Sequence, residues 1–351
     1  MKKKILMTAA SAALASTLLL SGCSGVSQTF SGAYWNENSK NTEIVSVYEK
    51  TTYSVNIVST APFSSTEISN PDLSLCIDEG YYTMELSAEA GDSHYTLKTE
   101  WKMQGKYVYG DGQEFPITGD VVETETTFKG YADGLAPLKT VKRVKNVVPL
   151  TASPKGAESF SSVGYTVTVE YGEKATSVVV PDAGSEDFLR GREEPVEYKK
   201  YNKKNYVDND MMLFYFRAFE FGDTFSYSFS TIDAVGQSLS SVVCSNLSDS
   251  SGNSISVAPI KVKSYQETSG GTTKKSYDKI FNTYGVKFAT QGEYGQTFLY
   301  AYYATNPKGE EGNDKDNANR HRPVAIYQPA LFRTGYVAFT LAETTTDRPA
   351  E

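Results

Sequence analysis

From Phe225 to Ile232 the chain reads Phe-Ser-Tyr-Ser-Phe-Ser-Thr-Ile, with a ring at every second position and serine between. Successive side chains point to opposite faces only in an extended strand, so this spacing puts Phe225, Tyr227 and Phe229 on one face and hydroxyls on the other. The same period of two, rich in Tyr, Thr and Val, runs through Tyr81–Glu89, Tyr95–Met103, Tyr165–Tyr171, Phe298–Ala304 and Gly335–Leu341. Half-buried strands have this pattern. Ala90-Gly-Asp, Tyr109-Gly-Asp-Gly, Tyr171-Gly-Glu, Ser251-Gly-Asn and Gly270-Gly supply turns between them. Closely spaced strands with short turns form antiparallel meanders. About fourteen such strands would leave long open edges if laid flat, so a curved or closed sheet, or two, is the expected outcome. No constant repeat period points to a propeller or solenoid.

One segment breaks the period. In Tyr206–Phe219 apolar residues fall at 211, 212, 215, 216 and 219, with Asp208 or Asp210 placed to cap a helix start and Gly222 to end it. This spacing predicts a helix of about two to three turns packed on the sheet. Arg217, near its C-terminal end, is expected to complement the helix dipole. The chain then divides into an N-terminal β half (41–184), a charged exposed linker (185–204, with lysines at 199, 200, 203 and 204), a C-terminal half with the short helix (205–343) and a tail (344–351). The first half has no helix to cover its second face, so the halves are expected to form one structure. The fold class is therefore all-β: curved antiparallel sheets, open or half-barrel meanders, with one short helix between the halves.

The N-terminus follows a different logic. Met1-Lys-Lys-Lys4 precedes an apolar stretch, Ile5–Leu20, and then Leu20-Ser-Gly-Cys23. Basic, apolar and small residues in that order are an export signal rather than part of a fold. The last four residues resemble the lipobox of exported bacterial lipoproteins. That resemblance implies cleavage after Gly22, a signal peptide over 1–22 and a lipidated Cys23 as the new N-terminus. Residues 23–40, rich in Ser, Gly and Asn, are then a tether. The expected location is the bacterial cell envelope, on the outer leaflet of the plasma membrane or, in a double-membrane cell, the outer membrane. No later run of about 18 apolar residues exists, which argues against a multi-span membrane protein. Losing 22 residues removes three lysines and no acid, so 31 basic face 42 acidic side chains and the net charge moves from −8 to −11. An acidic body argues against nucleic acid as a partner.

Chemical motifs are sparse. The two histidines, His94 and His321, are far apart, and no Gly-x-Ser-x-Gly turn presents a nucleophile. Zinc ligation needs clustered His or Cys, which two histidines and the mature cysteines, Cys76 and Cys244, do not supply. Those cysteines can pair in an exported protein or stay as small hydrophobes. Glu123 and Glu125 share one strand face and could belong to a carboxylate pair, although such strand pairs are usually solvated. Asp314 and Asp316, in a loop with Glu310, Glu311, Asn313, Asn317 and Asn319, are hard oxygen donors suited to calcium, but the spacing is not that of an EF-hand. No cofactor is expected. The 25 tyrosines and 17 phenylalanines are the unusual feature, fitting either a core or a concave aromatic face that holds a ligand.

Three segments in order resemble the bacterial exported proteins grouped as domain of unknown function 3108. They are Phe128 with Gly134-Leu-Ala-Pro137-Leu; Tyr206-Val-Asp208 through Leu213-Phe-Tyr-Phe-Arg217; and Arg322-Pro323-Val-Ala-Ile leading to Gly335-Tyr-Val-Ala-Phe-Thr-Leu. Where that family often has Trp-x-Ser-x-Asp, this chain has Tyr300-Ala-Tyr-Tyr-Ala-Thr. The resemblance implies a curved antiparallel sheet similar to envelope carriers of lipoproteins and lipids, and no catalytic residues. The functional expectation is a non-enzymatic surface lipoprotein, held to the membrane through Cys23, that binds or scaffolds a hydrophobic, glycan or envelope-protein ligand. The alternative is an extracellular glycan or cell-wall hydrolase using paired carboxylates.

Overall fold

A computed structural model describes Ile44 and residues 46–348, except 65–66, 148–162, 187–188, 190–193, 220, 222–224, 250–251, 253, 256, 293–294 and 306–320. Cys23, Asp314 and Asp316 lie outside the described residues, as do the expected signal peptide, the whole tether and Gly222.

The described residues form fifteen strands of one sheet. They are β1 (Val47–Val58), β2 (Leu73–Ala88), β3 (Tyr95–Tyr109), β4 (Glu114–Phe128), β5 (Pro137–Val147), β6 (Val163–Tyr171), β7 (Ala175–Pro181), β8 (Val196–Tyr198), β9 (Ser226–Asp233), β10 (Ser238–Asn246), β11 (Ala258–Ser269), β12 (Thr272–Gly292), β13 (Gly295–Ala304), β14 (Pro323–Pro329) and β15 (Tyr336–Thr345). The fold is all-β, curved and barrel-like, as the alternation requires.

From β8 to β1 the sheet is a simple antiparallel meander, and β1 then pairs with β15, the last strand. Beyond it the order is β14, β13, β12, β10, β9. β11 leaves this path, pairing antiparallel with β12 and, over Gln266–Thr268, parallel with β15. Strands β11 to β15 thus make a closed ring. Closure removes edges that would otherwise need protection. The remaining ends, β8 and β9, are stitched by the intervening chain. Tyr206 bridges to Ser230, Val207 N–H donates to the Ser230 carbonyl at 3.1 Å, and a small core of Val167, Val169, Tyr198, Tyr206 and Ile232 fills the seam.

The inward face keeps the period of two: Glu49, Thr51, Tyr53 and Val55 alternate with exposed or half-buried neighbours along β1. Bulges interrupt it where β2, β3 and β4 bend. At one, Gly105 passes so close to the Cys76 carbonyl that a Cβ would overlap it.

The segment 206–219 crosses the interior, where Phe216 packs against Phe219 (5.1 Å), Phe229 (5.5 Å) and Phe288 (4.8 Å). Its helix is shorter than expected: α1 is a single turn, Met212–Tyr215, continued by a 3-10 turn at Phe216–Ala218. Met211 already leaves helical geometry and Phe219 is extended, because both ends are tied to the sheet, and the aromatic run adds little intrinsic helix preference. The expected linker, 185–204, also contains structure. Leu189 and Ser185 are buried and β8 extends the sheet. The expected tail is fastened too: β15 runs to Thr345, Asp347 accepts from the N–H groups of Gly270 and Gly271, and Arg348 donates to the Ala88 carbonyl.

Candidate functional site

The seam between β6 and β9 leaves a cleft of about 410 Å³. Its walls are Tyr171 at the end of β6, Tyr201 and Tyr206 from the chain after β8, Tyr215 and Phe219 from the interior segment, and Tyr227 from β9. The rings pack in sequence: Tyr201 meets Tyr206 edge-on at 4.9 Å, Tyr206 lies 5.2 Å from Tyr171, and Phe219 lies 5.0 Å from Tyr227. Edge-on and tilted contacts suit the ring quadrupoles and hold the walls in shape. A second, shallower depression of about 350 Å³ shares Leu138 and Tyr171 with it, so the two adjoin and are together termed the groove.

The phenols are spoken for. Tyr171 donates to Asp208, and its oxygen lies 2.9 Å from the Tyr206 hydroxyl. Burial, reinforced by the nearby Asp208 charge, raises both phenols well above their ordinary value, and the same causes push Tyr201 up to about 12. These groups stay protonated at neutral pH and supply neither a base nor a nucleophile.

Lysines ring the groove. Lys129, Lys203 and Lys204 line the cleft, and Lys139 and Lys174 line the depression. Lys129 pairs with Asp133 at 3.9 Å, Lys139 with Glu170 at 3.4 Å and Lys174 with Glu197 at 2.8 Å. Lys203 and Lys204 have no carboxylate within ion-pair distance among the described residues, and both are exposed in a 3-10 turn capped by Asn202. In an acidic chain the groove is therefore a positively charged, aromatic surface.

Two buried polar clusters position this wall. Asp208 accepts from Thr140 (2.8 Å), Tyr171 and the N–H groups of Asp210 (2.8 Å) and Met211 (3.0 Å). Lys142 pairs with Asp210 at 2.8 Å. Burial, then the Asp210 charge, raises the Asp208 carboxyl against the pull of its hydrogen bonds. At the other end Glu49 takes Arg217 at 2.7 Å and Arg322 at 3.1 Å, and Arg322 also reaches Glu267 at 3.7 Å. Glu49, Arg217 and Arg322 are each no more than 2% exposed. Neither Asp208 nor Asp210 caps the helix as expected: its N-cap is Met211, which has no side-chain cap, and Asp208 instead accepts from N–H groups of the turn ahead of it. Arg217 is half of a buried ion pair and not a partner of the helix dipole.

Other sequence candidates do not converge. Glu123 and Glu125 lie on the outer face of β4 beside Lys145 (3.8 Å) and Lys98 (3.5 Å), as solvated pairs. His94 contacts its neighbour Ser93 at 2.9 Å. His321 is buried and stacked on Phe221 at 5.9 Å. Cys76 is an exposed free thiol and Cys244 a buried one, so they do not pair, and only Cys244 acts as a small core residue. Among the described residues no three His, Cys, Asp or Glu side chains cluster so as to hold a metal ion, and no helix is long and apolar enough to cross a membrane.

The sequence reading missed Tyr201, Lys203 and Lys204, placed in a linker, and Glu49. An acid on the inward parity of Tyr53 and Val55 was the available signal for Glu49. The three segments quoted for the family resemblance do meet in space: the Phe128 ring lies 5.4 Å from Phe214, and Arg217 and Arg322 share Glu49. No family model matches the chain, and comparison with curated proteins and with solved structures returns no match.

Proposed function

We propose that this is a lipid-anchored binding protein of the bacterial envelope, non-enzymatic, that holds an anionic glycan in the aromatic groove at the seam of its sheet. The observation that carries the reading is the pairing of ring faces with unneutralised lysines. Tyr201, half-buried and backed by Tyr206, offers an apolar surface to the C–H face of a sugar, and Lys203 and Lys204 offer charge to its carboxylates or phosphates. A purely apolar ligand would leave those ammonium groups unused. A cleft adjoined by an open depression suits a chain better than a compact solute. The Cys23 anchor rests on the Leu20-Ser-Gly-Cys23 motif.

The test is calorimetric titration of the full-length protein with oligogalacturonate and with neutral dextran. Binding to the first and not the second is expected, weakened about tenfold by Y201A and again by K203E/K204E. Equal affinity for both glycans, or indifference to all three substitutions, would sink the reading. Mass spectrometry of the N-terminal peptide tests the anchor separately, and an unmodified Cys23 would remove it.

A further inference from the structure

The β11–β12 hairpin presents an outer face unlike the rest of the surface. Tyr277 is 75% exposed and Ile280 is 64% exposed, the two most exposed large apolar side chains among the described residues. Exposed apolar residues scattered singly are ordinary, but these two lie three residues apart on one strand. Asp278 between them has a positive φ of 51° and pairs with Lys261 at 3.1 Å. Beside them stand Lys263 and Lys275, both exposed and with no carboxylate within ion-pair distance among the described residues. Tyrosine, isoleucine and lysines together are the composition of a surface that meets lipid headgroups, the ring and alkyl groups entering the interface and the ammonium groups staying at the phosphates.

The hairpin's position supplies the second argument. Its two-residue turn, Gly270-Gly271, has positive φ at both residues and is held by the Asp347 carboxylate at 2.6 Å from each N–H. Thr346 N–H donates to the Thr268 carbonyl at 3.1 Å. Arg348, which follows Asp347, donates to the carbonyl of Val47 at 3.2 Å and of Ala88 at 2.6 Å. Val47 is the first residue of β1, so the hairpin turn lies at the end of the molecule where the segment from Cys23 enters the sheet.

We infer that the outer face of the β11–β12 hairpin rests on anionic phospholipid headgroups and orients the anchored domain on the membrane. The inference rests on the lipid-anchor reading and is independent of the glycan. An acidic body is repelled by an anionic bilayer over most of its surface, and of its faces with uncompensated lysines the hairpin adds the most exposed apolar side chains, so it favours one pose.

The test places full-length protein on vesicles of brominated phosphatidylcholine, alone or mixed with brominated phosphatidylglycerol. In the Y277W variant, tryptophan emission is expected to be quenched beyond the wild-type level on the anionic vesicles only. The extra quenching should vanish in about 0.5 M salt and in Y277W/K263E/K275E. Equal quenching of Y277W and wild type on anionic vesicles, or no response to charge reversal, would overturn the inference. Flotation on neutral vesicles reads the anchor by itself. If the protein fails to float there, co-sedimentation with anionic vesicles still decides. Wild-type binding weakened about tenfold by K263E/K275E supports the hairpin, and no binding, or binding that those substitutions leave unchanged, refutes it.

Discussion

Two buried carboxylates hold the segment 206–219 across the interior, and they are satisfied by different means. Glu49 lies between two guanidinium groups, with Glu267 balancing the second. Asp208 is surrounded by hydroxyls and backbone N–H groups, and its nearest cation, Lys142, is spent on Asp210. The first site trades charge for charge; the second spreads one charge over dipoles. The contrast teaches that an interior can hold the same acid with very different consequences for losing a partner. Truncating Arg217 strands a buried anion beside an overworked Arg322, so R217A is expected to cost about 3–5 kcal/mol of unfolding free energy, read from urea midpoints. Replacing the whole cluster, as E49L/R217M/R322M, should recover much of that loss, since a packed apolar set replaces buried ions well. A triple variant no more stable than R217A would show that the charges themselves hold the segment.

Next in size is the other end. D208A leaves two hydroxyls and two N–H groups without their acceptor, and about 2–3 kcal/mol is expected. D208N, which keeps one acceptor oxygen, should cost less than half of that. The comparison breaks if D208A proves as damaging as R217A, because dipoles would then be worth as much as opposed charges. Either variant should also weaken the wall that carries Tyr206, so glycan binding should fall with D208A before the fold is lost.

How far these features could be read in advance follows from their range. The strands were legible because alternation is local: Phe225, Tyr227 and Phe229 announce β9 without reference to any other segment. Asp208 was legible only in part: a carboxylate that closes a turn two and three residues on has the same local pattern as a helix cap, and the helix begins too late for Asp208 to cap it. Arg217 was misassigned because its partner is in β1, and no local pattern joins them. The parallel pairing of β11 with β15 that closes the ring is equally invisible, a meeting of segments from distant parts of the chain. Tyr201, Lys203 and Lys204 were lost for another reason. β8 is three residues long, too short to show a period, and its charged surroundings read as solvent-exposed linker.

The smallest effects come from two groups whose burial acts in opposite directions on stability as pH changes. Burial, helped by the nearby Arg217 charge, lowers the His321 imidazole to about 3. The unfolded chain takes up that proton near pH 6.5 and the folded chain does not, so stability falls as pH drops, by about 2 kcal/mol at pH 5. Burial raises the Asp120 carboxyl to about 7, and its Oδ1 has no hydrogen-bond partner. Here the folded chain holds the proton first, so stability rises as pH drops from 7 toward 4, by less than the histidine effect because water still reaches Asp120. Asp208, also raised, adds to Asp120 with the same sign. In the wild type these slopes oppose one another, and urea midpoints should change little between pH 7 and pH 5. H321N, tolerated at a residue whose φ is 43°, should become more stable over that interval, and D120N less stable. Because Asp208 is common to both variants, the two must differ from each other even if neither matches the wild type. Identical pH profiles for H321N and D120N would mean that neither buried group keeps its proton state in the fold, and that the interior around both admits water freely enough to erase the shifts.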